Sequence, residues 1–259
     1  MPQANTPIMT RSRKPIVNSR TAWQQIDFLR TRFPRFRVKL VLTCEHYSAH
    51  IPRQWAHVFS GADEALHSHR GWDIGAPAIY RAIAPFASAV FHGNHSRLLI
   101  DLNRSETHPH CFSEFSRALP ALERQRLIET IHRPFRDQVR DTITEVNASG
   151  DSVLHISVHT FTPVLHGQTR NTDIGLLYDP SRKSEKQFVE WWGAQLGAMG
   201  KVRRNYPYKG TSDGHTTALR RIFTQETYSG IELEVNQTLA NKRGTAKAVA
   251  DTLRPLLRS

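Results

Sequence analysis

Apolar and polar positions alternate between two periods along the chain. The run VKLVLTC, Val38 to Cys44, is short, mostly apolar and rich in β-branched residues, which predicts a buried strand of the kind found in parallel sheets. SVLHISVHT, TDIGLLYD and GIELEVNQ predict further strands, and two shorter ones are expected over Ala87 to His92 and Arg97 to Leu102. Helical spacing governs the segments between them. Ile74, Ala78, Ile79 and Ala82 in DIGAPAIYRAIAPF share one helical face, with Asp73 placed as N-cap. Leu122 to Val146 reads as a helix bent or divided at Pro134. SEKQFVEWWGAQL is another helix, and Lys242 to Leu253 closes the chain with a helix that stops near Pro255. Strands alternating with helices predict an α/β fold, a mainly parallel sheet covered on both faces.

At 259 residues the chain is long enough for one large domain. A basic N-terminal arm over 1–37 and a single α/β domain over 38–259 is the expected organisation. The arm carries much of the charge excess, with Asp27 its only acid, and reads as a solvated tail with a short helix around Ala22 to Arg32. A transit peptide is the sharper alternative, against which stands the arm's low serine content. No 18-residue apolar run and no signal-peptide pattern occur, so the expectation is a soluble, cytoplasmic protein with no membrane partner. Cys44 and Cys111 are too few for a disulfide framework or a cysteine-based zinc site, and read as free buried thiols. A metal would have to use the 14 histidines and the carboxylates. The net charge of +12 favours anionic partners. A nucleic-acid-binding protein is the rival reading from outside the enzymes, but no DNA- or RNA-binding motif supports it.

Five places put chemistry-bearing side chains at the ends of elements: Glu45 and His46, Asp73, the DLNRS turn with Asp101, Asn103 and Arg104, His159, and Glu234. Loops at one edge of a parallel sheet converge, so residues far apart in sequence can share a site there. Each has a plain reading too. Asp73 could merely cap a helix, Asp101 and Arg104 could form a surface ion pair, and Glu232 with Glu234 could face solvent on an edge strand.

Taken together, CEHYSAHIP, HRGWDIGAPAIYRAI, HSRLLIDLNRS, IHRPFR, ISVHTFTP, RNTDIGLLYD, PYKGTSDGHT and ELEVNQTL resemble the N-formylglutamate amidohydrolase family, in order from about Val41 to Leu239. The resemblance implies a three-layer α/β/α fold with a mixed, mainly parallel sheet like that of the zinc-dependent exopeptidases. It implies a metal-dependent amidohydrolase, with zinc as the expected ion, acting on a small carboxylate-bearing N-acyl amide. A peptidase or cell-wall amidase on the same scaffold is the alternative. The implied metal ligands are His46, Asp73 and His159, with Glu45 beside them orienting a ligand. Strand phase does not separate Glu232 from Glu234; the family match selects Glu234 as the proton-transferring carboxylate. His215 is implied as an oxyanion stabiliser or substrate-orienting group, equally readable as a loop histidine. Asn103 and Arg104 are implied to hold a substrate carboxylate, with Arg97 adding positive potential at the mouth and Asp101 orienting Arg104. Where the family often carries an aromatic after this last motif, the chain has Ala240.

Overall fold

Strand β1, Val38–Cys44, enters the middle of a six-stranded sheet because five of its seven side chains have no exposure to speak of. In the computed structural model, which describes residues 38–257, the other strands are β2 (Ala89–His92), β3 (Ser152–Phe161), β6 (Ile174–Leu177), β7 (Val202–Arg204) and β8 (Tyr228–Asn236), and a small hairpin pairs β4 (Val164–Leu165) with β5 (Gln168–Thr169). The sheet order is β2-β1-β3-β8-β6-β7. β2, β1, β3 and β8 pair in parallel, and β6 runs antiparallel to β8. The fold is therefore α/β with a mixed, mainly parallel sheet, as expected. The arm and its helix lie outside the described residues.

The helices are α1 (Asp63–His67), α2 (Ala76–Ile83), α3 (Ala121–Leu127), α4 (Arg133–Ala148), α5 (Lys183–Leu196), α6 (His215–Arg220), α7 (Gln237–Ala240) and α8 (Thr245–Leu257). α2 packs on β1 and β3, α5 packs on β8 and β6, and α8 packs against both helices. On the other side, Val139 and Ile143 of α4 and Leu219 of α6 form one cluster with Val41, Val153 and Tyr228. The sheet is covered on both faces. Leu40, Leu42, Leu154, Ile156, Val158, Ile231, Leu233 and Val235 are fully or almost fully buried, an apolar set at every second position of three central strands.

Four expectations need correction. Arg97 to Leu102 is not a strand but a string of turns. Its apolar side chains are explained by a separate cluster in which Leu98, Leu99 and Ile100 meet Trp55, Phe59 and Leu127. Asp73 does not cap a helix: α2 begins at Ala76, after Gly75 in the left-handed region at φ +94°, and no side chain caps it. β8 is interior, so Glu232 and Glu234 are buried rather than solvent-facing. Pro255 lies inside α8, which runs on to Leu257. The division expected at Pro134 occurs just before it, where a π-helical turn over Ile128–His132 joins α3 to α4 and Pro134 sits in the first turn of α4.

Candidate metal centre and its surroundings

The carboxyl ends of β1, β3 and β8 bring the scattered polar residues together. His46 follows β1, His159 lies near the end of β3, and Glu234 pairs with His159 in register across the β3–β8 ladder. Asp73 comes from the turn before α2, anchored by its backbone N–H donating to the His46 carbonyl at 2.9 Å. That turn depends on Gly75, whose φ of +94° suits glycine and where a Cβ would stand only 2.8 Å from the Cβ of Ala240.

His46, Asp73 and His159 are all buried, and one ligand atom of each lies within 4.8 Å of the others. Asp73 Oδ2 is 2.9 Å from His159 Nδ1 and 3.6 Å from His46 Nδ1. The donor set fits a zinc-type cation: two imidazoles and a carboxylate, with His46 Nδ1 buried and without a hydrogen-bond partner. Each potential ligand is braced from behind. His46 Nε2 is 2.7 Å from Asp101 Oδ1, and the Arg97 guanidinium is paired with Asp73 Oδ1. Arg97 therefore spends its charge on Asp73, and Asp101 orients His46 rather than the Arg104 side chain. Burial alone would raise the Asp73 carboxyl, but Arg97, His159 and His46 outweigh it and hold it well below the usual range. Burial would lower His159, yet the hydrogen bonds to Asp73 and Glu45 carry it well above the ordinary histidine value.

Behind His159 lies a second buried layer. Glu45 Oε2 accepts from Ser157 Oγ at 2.6 Å, and Ser157 Oγ is 2.8 Å from His159 Nε2. Glu45 Oε1 accepts from Thr43 Oγ1 at 2.8 Å and lies 3.0 Å from His215 Nδ1. Burial opposes the charge on Glu45, but its histidine partners prevail and hold its carboxyl well below the usual range. Burial pushes His215 down, so that ring is neutral, and its Nε2 is buried with no partner. An ionised carboxylate only accepts, so His215 Nδ1 carries the proton and Nε2 presents a lone pair. That suits acceptance from a substrate N–H better than donation to an oxyanion.

The two glutamates of β8 are now distinguishable. Glu232 Oε1 accepts from Thr216 Oγ1 at 2.6 Å, a structural bond to α6. Glu234 Oε2 is buried and unpartnered. Burial lifts its carboxyl to about 8, with His159 pulling the other way and Asp73 and Glu232 adding to the rise. Asn103 Oδ1 accepts from the His215 backbone N–H at 2.7 Å, fixing the start of α6. Arg104 donates from Nη1 to the Asp213 carbonyl at 2.9 Å, so the DLNRS turn and the loop before His215 form one wall.

The family model for N-formylglutamate amidohydrolase matches residues 38–240. The chain belongs to that family. Among solved structures it is similar to a gene product of Agrobacterium tumefaciens at 30% identity, with a TM-score of 0.73 over 85% of this chain and 88% of that one. An N-formylglutamate amidohydrolase from Ralstonia eutropha JMP134 shares the fold at 17% identity and a TM-score of 0.63, over 86% of this chain and 93% of that one. No curated protein matches significantly. For this family member an amidohydrolase activity on N-formylglutamate-like substrates is what membership indicates. No described helix is long and apolar enough to cross a membrane.

Three polar residues of the site went unread in the sequence: Thr43, His155 and Ser157. The signal was present in this N-formylglutamate amidohydrolase homologue as a period-two polar comb, His155, Ser157 and His159, within a strand otherwise apolar enough to be fully buried.

Proposed function

We propose that the protein is a metal-dependent amidohydrolase, with zinc as the ion, that removes an acyl group from a small carboxylate-bearing N-acyl amide of the N-formylglutamate type. The observation that carries this reading is the pairing of a buried His46, Asp73 and His159 triad with an unpartnered carboxylate oxygen of Glu234 on the adjoining strand. His46, Asp73 and His159 would hold the ion, which when bound supplies Lewis acidity toward the scissile carbonyl and a more acidic water.

The protein's own groups divide the remaining work. Glu234 takes the proton of the attacking water on its free oxygen and returns it to the departing amine, a transfer that suits a buried carboxyl poised near neutrality. A cation beside Glu234 favours its ionised, proton-accepting form. Asn103 and Arg104, on the wall formed with the Asp213 loop, hold the substrate carboxylate and so fix the amide relative to Glu234. His215 accepts a substrate N–H through Nε2. Arg97 and Asp101 steady Asp73 and His46.

Elemental analysis after zinc loading and dialysis, run beside hydrolysis assays on N-formylglutamate and a panel of N-acyl amino acids, tests the reading. The expected result is one zinc per chain and measurable hydrolysis in the parent, both lost in His159→Ala. Stoichiometric zinc retained by His159→Ala would remove His159 from the ligand set. Zinc-free parent protein would overturn the metal dependence.

A further inference from the structure

The polar face of the sheet continues beneath the metal triad, and its hydrogen bonds can be given a direction by counting protons. A hydroxyl owns one proton, and an ionised carboxylate only accepts. Thr43 stands 2.8 Å from Glu45 Oε1, so its proton is committed there, and His155 Nε2, 2.9 Å from the same hydroxyl, must donate to it. A neutral imidazole with its proton on Nε2 accepts at Nδ1, so the Tyr228 hydroxyl donates to His155 at 2.8 Å. Burial holds His155 down at about 3, consistent with a neutral ring. The same count applies at Ser157. Its proton goes to Glu45 Oε2 at 2.6 Å, and His159 Nε2, at 2.8 Å, must donate to the serine oxygen.

We propose that Ser157 and Glu45 are positioning residues that hold a proton on His159 Nε2 and so leave Nδ1 as its metal-binding nitrogen, while a one-way relay that begins at Tyr228 ends on the same Glu45. This rests on the metal-site reading above and extends it to residues that touch neither ion nor substrate. His46 reaches the same tautomer by a separate route, with Nε2 donating to Asp101, so both rings turn Nδ1 toward Asp73 Oδ2. Glu45 is the common terminus. It collects protons from Thr43, Ser157 and His215, which couples the tautomer of His159 to that of His215 through one carboxylate. Sheet packing does not require such a chain, since the opposite face of the same strands is filled by Leu42, Ile156, Val158, Leu233 and Val235.

The test is ring nitrogen–proton NMR of metal-free protein carrying ¹⁵N-labelled histidine, paired with zinc affinity measured by chelator competition. The parent is expected to show slowly exchanging protons on His159 Nε2 and His215 Nδ1. Ser157→Ala should lose the protected His159 signal and weaken zinc binding about tenfold or more, within the range usual for groups that orient a metal ligand. Ser157→Thr, which keeps the hydroxyl, should restore both. A parent in which His159 Nε2 is bare, or a Ser157→Ala variant with unchanged ring signals and zinc affinity, would overturn the proposal. If Ser157→Ala does not fold, the parent spectrum alone decides. A parent that shows the expected ring protons but binds no zinc would leave the relay standing and bring down the metal reading instead.

Discussion

The two faces of the central strands are built from alternate residues of the same segments, yet they do opposite things. One face carries Leu42, Ile156, Val158, Leu233 and Val235, all buried, under α2, α5 and α8. The other carries Thr43, His155, Ser157, His159, Glu232 and Glu234, buried but polar, leading from the α4 and α6 side to the carboxyl edge of the sheet. Burying a polar group is unfavourable unless its hydrogen bonds are remade inside, and here nearly all are remade with one another. The exceptions are informative: His46 Nδ1, His215 Nε2 and Glu234 Oε2 are without partners, and they stand at the site. The apolar face supplies stability and the polar face holds its free atoms in place.

The largest expected effect falls on the polar face. Glu234→Gln should keep fold and zinc while lowering turnover by about 10²- to 10⁴-fold, the usual worth of a proton-transferring group; unimpaired turnover with zinc retained would move the role elsewhere. The same variant makes a second prediction in metal-free protein. The folded chain holds the Glu234 proton up to about pH 8, whereas the unfolded chain releases it near the ordinary glutamate value of 4.5. Its contribution to stability is therefore complete below pH 4.5 and fades as pH climbs to 8. Denaturant titrations across that window should show this decline in the parent and a shallower one in Glu234→Gln.

On the apolar face, Leu233→Ala should remove about 2–5 kcal/mol of stability. The surviving folded fraction should bind zinc as the parent does. A loss of zinc affinity in folded Leu233→Ala would mean that the two faces are not separable. Gly75→Ala, where the two sides meet, should cost about 1–2 kcal/mol for the left-handed backbone. The added methyl also crowds Ala240 and displaces the turn that carries Asp73, so zinc binding should weaken along with thermal stability. Unchanged affinity would show that the turn tolerates the shift.

Much of this was legible in the sequence because apolar runs and helical spacing report burial directly. β1, β3, β8 and α5 fall where the patterns put them. The triad came from the family motifs; spacing along the chain did not bring its members together. What stayed hidden depended on tertiary context. The run from Leu98 to Leu102 is apolar for a loop packed beneath Trp55 and Phe59, which a hydropathy pattern cannot distinguish from a short strand. Asp73 looks like a cap because it precedes a helix, and only Gly75 shows that the chain turns first. Arg97 was assigned to the substrate mouth and Asp101 to orienting Arg104, but their side chains face Asp73 and His46, a pairing that only the tertiary fold brings about.

Consider, last, when the site comes into being. Its hydrogen bonds close long loops of chain: Asp73 to His159 spans 86 residues, Thr43 to His155 spans 112, and Glu45 to His215 spans 170. Parallel pairing of this kind is slow to assemble, since the entropy of loop closure is lost before the contacts reward it. A half-folded chain therefore has no site to offer. On the proposed metal reading, a cation bound there would reward only the finished topology, and its supply would check folding as well as serve the chemistry.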